Sequence, residues 1–347
     1  MGIARKKTRE VKIGKISVGG ENPIAVQSMC NTKTSDVGAT VKQILELEEA
    51  GCEINRVAVP DMESAKAVGK IVKEINTPLV ADIHYDYRIA LECIKQGIDK
   101  IRVNPGNTPE EKLKEVVKSA KDSGIPIRIG VNQGSLRKDI IAKYGHSPEG
   151  MAEEALNAIK LCEELDFHDI IVSLKSSDIF QNMKANQIFS SKSDYPLHLG
   201  ITEAGTLRSG TIKSSIGIGS LLLGGIGDTI RVSLSADPVE EVAAGFSMLK
   251  MLGLRKGVVV VSCPTCGRAQ IDVIKTANEI EKKLMKCKKN IKVGVMGCFV
   301  NADEAKMADI GVAGAPDKGI LFKNGEILRE VEKDKLAEEL LKEIEKI

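Results

Sequence analysis

The chain has 347 residues, of which 42% are hydrophobic and 28% charged, and its formal net charge at pH 7 is +2. This composition indicates a globular protein of one large domain or two, while the small net charge and the absence of tryptophan argue against nucleic-acid binding. The sequence has no apolar run of about 18 residues and no apolar core after its basic start, which predicts a cytoplasmic protein without a membrane span.

Eight short apolar runs, rich in β-branched residues and bounded by turn residues, predict β-strands. Amphipathic stretches with a helical period lie between them, and the last of these helices is predicted over residues 238–252. Two helices begin with a Ser/Thr-Pro-Glu motif, which predicts Thr108 and Ser147 as N-caps with proline at the first helical position. The strands are predicted over residues 24–29, 54–60, 78–84, 100–106, 126–132, 169–177, 196–202 and 228–235.

This alternation predicts an α/β fold, specifically a (β/α)8 TIM barrel. Near-continuous apolar runs are typical of parallel strands buried on both faces, and eight strand–helix units in about 250 residues match the barrel. An open doubly wound sheet is the alternative, but no GxGxxG motif follows the first strand. Residues 11–23 are predicted to form a hairpin that plugs the bottom of the barrel.

The pattern changes after Gly257. A strand and a helix (258–263 and 271–287) are followed by a second strand (291–298), a hairpin with an Asn-Gly turn (320–331) and a charged helix with one apolar face. These elements predict a small α+β domain. We therefore expect the TIM barrel over residues 1–253 and the second domain over residues 254–347.

Three of the eight cysteines stand where two predicted strands end. Cys263 and Cys266 form a CxxC motif after one strand, and Cys298 ends the next. A redox dithiol would need a preceding thioredoxin-like βαβ unit. A zinc site would need a fourth ligand such as Cys287, whose spacing to Cys298 does not match a close pair. An iron–sulfur cluster with three thiolates and one other ligand fits better.

The positions of residues along the chain suggest candidates for the fourth ligand and a role for the remaining cysteines. Oxygen ligands are available just after Cys298, from Asn301, Asp303 and Glu304. The other cysteines are scattered over the barrel and are predicted to be small buried hydrophobic residues. They are Cys30, Cys52, Cys93 and Cys162.

Cationic side chains are concentrated at the carboxyl ends of the predicted strands, where barrel active sites lie. A charge within a buried strand is costly unless it is paired, and the planar fork of arginine binds two phosphate oxygens at once. Internal salt bridges to Asp82 and Glu203 are the alternative, but two carboxylates cannot neutralise five cations. The pattern predicts a diphosphate or bisphosphate ligand, while His84 and His198 are equally well read as core histidines. The predicted site residues are Arg56, Asp82, Arg102, Asn104, Arg128, Asn132, Lys175, Glu203, Arg231 and Ser233.

Motifs along nearly the whole chain, in order, resemble those of the 4-hydroxy-3-methylbut-2-enyl diphosphate synthase family of the methylerythritol phosphate isoprenoid pathway. They are VQSM, INRVAVPD, VADIHYDYRIAL, KIRVNPGN, PIRIGVNQGSL, LHLGITEAG, SCPTCGR, and MGCFVN followed by ADIGVAGA. The resemblance implies an oxidoreductase whose barrel binds 2-C-methyl-D-erythritol 2,4-cyclodiphosphate and whose C-terminal domain holds one 4Fe-4S cluster. It also implies reduced flavodoxin or ferredoxin as electron donor, and a homodimer in which the barrel of one chain faces the cluster of the other.

The resemblance also assigns residues. It makes Cys263, Cys266 and Cys298 the thiolate ligands and Glu203 the acid that assists proton delivery at the leaving hydroxyl. The family reads MGCVVNGPGEA after the last strand, whereas this chain is one residue shorter and lacks the Gly-Pro-Gly turn. Alignment on the following alanine makes Glu304 the fourth ligand and Asp303 its competitor. The substrate-phosphate positions fall on Arg56, Arg102, Arg128, Asn132, Lys175, Arg231 and Ser233.

Without the resemblance, the residue pattern is also compatible with two other functions. A pterin- or phosphate-binding barrel synthase with a structural zinc domain would share the barrel. A non-catalytic electron carrier would share the cluster, but it does not need a large barrel with an anion site.

Overall fold

The computed structural model of the chain describes residues 2–285, 287, 289–298 and 307–347. They form two compact units, Met1–Leu254 and Arg255–Ile347. None of the helices in the described ranges combines the length and the apolarity needed to cross a membrane.

The first unit is a barrel of eight parallel strands, which confirms the predicted α/β class. The strands are hydrogen-bonded in the order β8-β7-β6-β5-β4-β3-β10-β9. A parallel bridge between Val172 of β8 and Leu197, just before β9, joins the two ends, and the Val172 amide donates to the Pro196 carbonyl at 2.9 Å. The strands are β3 (Ala25–Met29), β4 (Ile54–Ala58), β5 (Leu79–Asp82), β6 (Lys100–Val103), β7 (Ile127–Asn132), β8 (Ile170–Lys175), β9 (His198–Leu199) and β10 (Thr229–Ile230).

Helices surround these strands. The Ser147 side chain caps α6 by accepting from the Gly150 amide at 3.1 Å, as predicted. The prediction for Thr108 is wrong, because α4 begins one residue later, with Pro109 at the N-cap position and two glutamates in the first turn. The helices are α1 (Val37–Glu49), α2 (Met62–Glu74), α3 (Tyr87–Lys95), α4 (Glu110–Ser123), α5 (Lys138–Tyr144), α6 (Pro148–Glu163), α7 (Ile179–Lys192), α8 (Leu207–Leu223) and α9 (Pro238–Met251).

A hairpin closes the amino end of the barrel. Strands β1 (Val11–Ile13) and β2 (Ile16–Val18) pair antiparallel. Their buried side chains form an apolar cluster with residues near the starts of four barrel strands, which confirms the predicted plug. The polar side chains of the interior therefore lie above an apolar floor. That cluster contains Val11, Ile13, Val18, Ala25, Ile54, Val80 and Ile171.

Strands β9 and β10 are shorter than the apolar runs that predicted them. The Lys175 ammonium crosses the backbone at Gly200, where a Cβ atom would lie 2.7 Å from Lys175 Nζ and 2.9 Å from the Arg231 carbonyl oxygen. Only glycine permits this close approach. The segments after β9 and β10 leave the ladder at the level where they carry site residues.

The second unit contains a five-stranded mixed sheet in the order β11-β12-β13-β14-β15, and its described residues also form helices α10 and α11. Strands β11, β12 and β13 are parallel and the others antiparallel. The Asn-Gly hairpin is confirmed, since Asn324 and Gly325 have φ values of +49° and +80°, but β13 was not predicted. The elements are β11 (Val259–Ser262), α10 (Val273–Leu284), β12 (Lys292–Met296), β13 (Ile310–Gly314), β14 (Gly319–Lys323), β15 (Glu326–Val331) and α11 (Leu336–Glu345).

Candidate active site and candidate metal centre

Asp82 lies at the centre of the buried charges in the barrel. Its Oδ1 accepts from Arg102 Nη1 at 3.1 Å, and its Oδ2 lies 3.9 Å from Arg56 Nε and 3.6 Å from His84 Nε2. Burial disfavours the charged carboxylate, but Arg56, His84 and Arg102 outweigh it and hold the pKa of Asp82 well below its usual range. Asp82 is therefore ionised and orients two arginines.

Several cations near Asp82 have few partners. Arg128 is 1% exposed and donates from Nη1 to Ser173 Oγ at 2.9 Å, while its Nε and Nη2 have no hydrogen-bond partner among the described residues. Burial lowers the pKa of Arg128 and of Lys175 well below their usual values, and neighbouring arginines lower both further. Burial likewise lowers the pKa of Arg56 to about 10. Such groups gain from a bound anion, because an unpaired buried charge is costly.

A glycine makes room for one of these cations. The Arg102 side chain lies across β7, where its Nη2 donates to the Gly130 carbonyl oxygen at 3.0 Å. A Cβ atom at residue 130 would collide with Arg102 Nε. Gly130 therefore allows the guanidinium of Arg102 to cover the neighbouring strand.

A second buried carboxylate belongs to α9. Glu241 is 3% exposed and accepts from Arg231 Nη2 at 2.9 Å, from Arg231 Nε at 3.1 Å and from Ser28 Oγ at 3.0 Å. The alternative of an internal salt bridge to Glu203 is not found among the described residues. Glu203 is exposed on the loop after β9, has φ +51°, and its carboxylate accepts no hydrogen bond from any described residue.

The remaining predicted residues line the same end of the barrel. Asn104 supports its own loop, since its Nδ2 donates to Ser135 Oγ at 2.8 Å and its Oδ1 accepts from the Gly106 amide at 3.1 Å. Asn132 is in register with Lys175 at the end of β7. Ser233 is half-buried beyond β10. The structure thus brings Asp82 together with the five predicted cations, and among the described residues none of these cations forms an ion pair with Glu203.

The candidate metal centre lies at one edge of the sheet in the second unit. The Cys263 amide donates to the Val295 carbonyl at 3.1 Å, and the Gly297 amide donates to Cys263 Sγ at 3.0 Å. These bonds place Cys298 beside Cys263. Cys266 is exposed, and a backbone and a side-chain hydrogen bond from Arg268 lower the pKa of its thiol.

The chemistry of this donor set suits a soft metal or an iron–sulfur cluster. Within the described ranges, however, no three His, Cys, Asp or Glu side chains already converge as a metal cage. Glu304, Asp303 and Asn301 lie outside the described residues.

The four barrel cysteines are buried, as predicted. Burial raises the pKa of each of their thiols to about 12, which makes them poor nucleophiles and poor metal ligands. They are Cys30, Cys52, Cys93 and Cys162.

Family models match both units. The model described as the GcpE TIM-barrel domain matches residues 8–246, and the model of the GcpE protein C-terminal domain matches residues 259–346. The chain belongs to the GcpE family.

Members of the GcpE family resemble this chain along its whole length. It is 60% identical to a protein of Caldanaerobacter subterraneus subsp. tengcongensis named 4-hydroxy-3-methylbut-2-en-1-yl diphosphate synthase (flavodoxin), over 99% of this chain and 98% of that protein. A protein of the same name from Clostridium perfringens is 56% identical, over 99% of both chains.

The similarity of this chain to solved structures concerns the fold only. Dihydropteroate synthase from Stenotrophomonas maltophilia superposes with a TM-score of 0.53 at 15% identity, over 71% of this chain and 97% of the other. The enzyme from Xanthomonas albilineans gives 0.51 at 14% identity, over 71% and 98%. This likeness matches the alternative of a pterin-binding barrel synthase in fold only, and membership of the GcpE family does not favour that alternative.

Two buried charged residues of the barrel, Lys100 and Glu241, were not predicted from the sequence as part of the site. Lys100 is fully buried in β6, two residues before Arg102 and on the same face, and its Nζ has no partner among the described residues. The period of two along a strand was a signal for it. Glu241 gave no such signal, because an acidic residue in the first turn of a helix is ordinary.

Proposed function

We propose that this chain catalyses the reductive ring opening and dehydroxylation of 2-C-methyl-D-erythritol 2,4-cyclodiphosphate to (E)-4-hydroxy-3-methylbut-2-enyl diphosphate, in isoprenoid precursor biosynthesis. The observation that carries the proposal is the set of buried cations around Asp82, together with three cysteines at one sheet edge of the second unit. Relatives named for this product, at 60% and 56% identity, support it.

The charges of the barrel suit the change in charge during this reaction. Two electrons and one proton convert a cyclic diphosphate with two negative charges into water and a linear diphosphate with up to three. The barrel cations outnumber Asp82 and Glu241, the carboxylates that contact them. An excess of fixed positive charge stabilises the negative charge that develops as the ring carbon–oxygen bond breaks.

Individual residues position the substrate. Arg128 has two buried donors without a partner among the described residues, which a phosphate oxygen can satisfy, and the buried side chain of Lys175 lies close to it. Asp82 holds Arg102 and Arg56 in place, and Glu241 holds Arg231. Asn132, Ser233 and Asn104 complete the polar lining in this proposal. The ligand is thereby oriented before any bond breaks.

Cys263, Cys266 and Cys298 would hold a 4Fe-4S cluster, with Glu304 as the fourth ligand. Such a cluster supplies electron transfer and a Lewis-acidic iron when it is bound. Flavodoxin is the proposed electron donor, in accordance with the printed names of the relatives. A reducing, cytoplasmic location suits a chain whose eight cysteines are all free thiols.

Glu203 would deliver the proton to the leaving hydroxyl. Its exposed position on the loop after β9 allows its carboxylate to exchange a proton with solvent. The positive φ of this residue, +51°, fixes an unusual backbone at a non-glycine position, which is common where a side chain is aimed for function.

A homodimer is part of the proposal. Helix α8 exposes Ile212, Ile216 and Leu223, with relative exposures of 55%, 50% and 62%. Exposed apolar side chains on one helix are typical of an interface with another chain. We propose a second copy of this chain as the partner.

The test is anaerobic turnover of the cyclic diphosphate by the reconstituted protein with reduced flavodoxin. We expect formation of the linear diphosphate, and Glu203→Gln should keep the iron content and lose at least about two orders of magnitude in kcat. Glu240→Gln, an exposed carboxylate on α9, is the matched control and should keep full turnover. Full activity of Glu203→Gln would remove Glu203 from its role, and absence of turnover in the reconstituted wild type would contradict the function.

A further inference from the structure

Lys100 lies in the interior of the barrel, below the arginines of the site. Its neighbour Ile101 belongs to the apolar core between the strands and the helices, so Lys100 and Arg102 share the inner face of β6. Lys100 is fully buried, and it is in register with Val80 of β5, which belongs to the apolar cluster that closes the amino end of the barrel. Its Nζ has no hydrogen-bond partner among the described residues. The amine of Lys100 is therefore buried between an apolar floor and a group of cations.

Other polar groups of the barrel strands lack partners as well. Neither amide atom of the Gln27 side chain on β3 is hydrogen-bonded to a described residue, and Arg128 on β7 has two unused donors. His198 on β9 contacts Thr229 Oγ1 through Nδ1 at 2.8 Å, while its Nε2 has no partner among the described residues. Gln27, Arg128 and His198 each stand next to a residue of the apolar core outside the strands, so they point inward with Lys100. Buried polar groups are normally paired, and this set indicates that a polar ligand completes the interior.

The charges around Lys100 are mostly positive. Burial lowers the pKa of Lys100 well below its usual value, and Arg128 and Arg56 lower it further. The carboxylate of Asp82 on the neighbouring strand is already paired with Arg102, and the floor is apolar. The free barrel therefore holds Lys100 as a neutral amine at slightly alkaline pH. The charged or titratable groups of the described residues that face this interior are Arg56 on β4, Asp82 on β5, Arg102 on β6, Arg128 on β7, Lys175 on β8, His198 on β9 and Arg231, with His84 beside Asp82 and Glu241 beside Arg231.

We propose that Lys100 is a further binding residue for the diphosphate in the barrel, and that its amine takes up a proton from solvent when this ligand binds. The inference rests on the proposed function. In the cyclic diphosphate each phosphorus bears one strongly acidic hydroxyl, so the ligand enters as a dianion and has no proton to give near neutral pH. Its negative charge makes the protonated form of Lys100 favourable. The chemical change is the addition of one proton to the amine, and no other bond forms or breaks.

Proton uptake of this kind suits the reaction. The free barrel is spared one more unpaired charge, which would be costly to bury. Once protonated, Lys100 adds to the positive charge that stabilises the negative charge developing on the ligand as the ring carbon–oxygen bond breaks. Lys100 thus changes its charge with the occupancy of the site, whereas the arginines remain charged throughout.

Isothermal titration calorimetry measures this proton uptake. The full-length protein, reconstituted anaerobically and left oxidised so that no turnover follows binding, is titrated with the cyclic diphosphate at about pH 8 in Tris and in HEPES. These buffers differ in their heat of ionisation, so the difference between the observed heats gives the number of protons taken up. We expect wild type to take up more protons per ligand than Lys100→Met, by about one half to one. The Kd of the wild type should also rise more steeply with pH between about pH 7 and pH 9, by up to about tenfold per pH unit.

The comparison of wild type with Lys100→Met separates Lys100 from Lys175 and His198, which face the same interior and can also gain a proton. Lys95→Met is the matched control, because it removes an exposed lysine at the end of α3, and its proton uptake should equal that of the wild type. Thermal unfolding establishes that each variant is folded. Lys100→Leu replaces Lys100→Met if the latter is not.

Each outcome decides the inference. Equal proton uptake by wild type and Lys100→Met, or binding by the wild type without proton uptake, would overturn it. Unfolding of both Lys100→Met and Lys100→Leu would overturn it too, because a neutral amine without a partner does not stabilise the fold. Failure of the wild type to bind the cyclic diphosphate would instead contradict the proposed function.

Discussion

Arg231 and Glu241 form a bidentate ion pair. Arg231 Nη2 donates to Glu241 Oε1 at 2.9 Å, and Arg231 Nε donates to Glu241 Oε2 at 3.1 Å. The same carboxylate accepts from Ser28 Oγ and from the Leu234 amide at 3.0 and 2.9 Å. Glu241 therefore links β3, the segment after β10 and α9, and it fixes the direction of Arg231.

Replacement of this carboxylate should affect both stability and binding. Glu241→Gln leaves Arg231 without its anionic partner, and we expect a loss of about 1–3 kcal/mol in the free energy of unfolding. We also expect a higher KM for the cyclic diphosphate, with a smaller change in kcat, because the residue positions Arg231 and does not touch the reacting atoms. Urea denaturation and steady-state kinetics measure the two effects. A Glu241→Gln protein with wild-type stability and KM would show that the pair is dispensable.

Replacement of Arg128 should weaken substrate binding without destabilising the fold. Arg128→Met removes a buried cation with few partners, so we expect substrate affinity to fall by about 1.5–3 kcal/mol, or roughly 10- to 150-fold, without a loss of stability. Isothermal titration with the cyclic diphosphate and thermal unfolding test both parts. Arg88→Gln is the surface control, since the exposed Arg88 pairs with Asp86 at 2.7 Å and should matter little. Unchanged affinity in Arg128→Met would place the substrate elsewhere.

Lys100 predicts a dependence of stability on pH. Burial lowers the pKa of Lys100 well below its usual value, and Arg128 and Arg56 lower it further. Between its folded and unfolded pKa values the unfolded chain binds the extra proton, so the contribution of Lys100 to stability rises with pH up to about 10.4. Lys100→Met has no such titration, and it should be more stable than wild type at neutral pH.

The comparison of urea midpoints at pH 7 and pH 9.5 tests this effect. The advantage of Lys100→Met should shrink at the higher pH. Lys95→Met, on the exposed end of α3, controls for loss of a surface charge and should change stability by less than about 0.5 kcal/mol. A constant difference between Lys100→Met and wild type at both pH values would mean that Lys100 does not titrate as described.

The shortened loop after Cys298 leaves two carboxylates to compare. We expect Glu304→Gln to lose iron faster than Asp303→Asn on exposure to a chelator, because Glu304 is the proposed fourth ligand of the cluster and only the first variant removes its carboxylate. Iron release followed by absorbance measures both rates. Faster loss from Asp303→Asn would move the fourth ligand to Asp303.

Much of the fold was predictable because buried parallel strands leave continuous apolar runs bounded by turn residues. All eight barrel strands were found this way, and the hairpin of the second unit was found from its Asn-Gly turn. Strand β13 was missed, since its five residues include two glycines and weaken the strand pattern. The predicted strands extend beyond the observed ends of β9 and β10. The sequence does not show this, because the crossing of Lys175 over Gly200 depends on tertiary contacts.

The site was predictable in its cations but not in its pairing. Charged residues within apolar runs mark a buried site without any knowledge of the fold, as Arg102 and Arg128 show. The choice of Glu241 over Glu203 as partner depends on how α9 packs beside β3 and on where the loop after β9 leaves the barrel. The spacing of these residues along the chain does not predict how close Glu241 or Glu203 lies to the cations.

The presence of a redox-active iron–sulfur cluster is tested by anaerobic purification and reconstitution, followed by iron and sulfide analysis and an absorption spectrum. Electron paramagnetic resonance is then recorded after dithionite reduction, with and without the cyclic diphosphate. We expect the broad visible absorption of iron–thiolate chromophores, about four irons per chain, and a resonance signal that changes when the cyclic diphosphate is added. A colourless protein that contains zinc and stays colourless after reconstitution would contradict the cluster and the reductive mechanism with it.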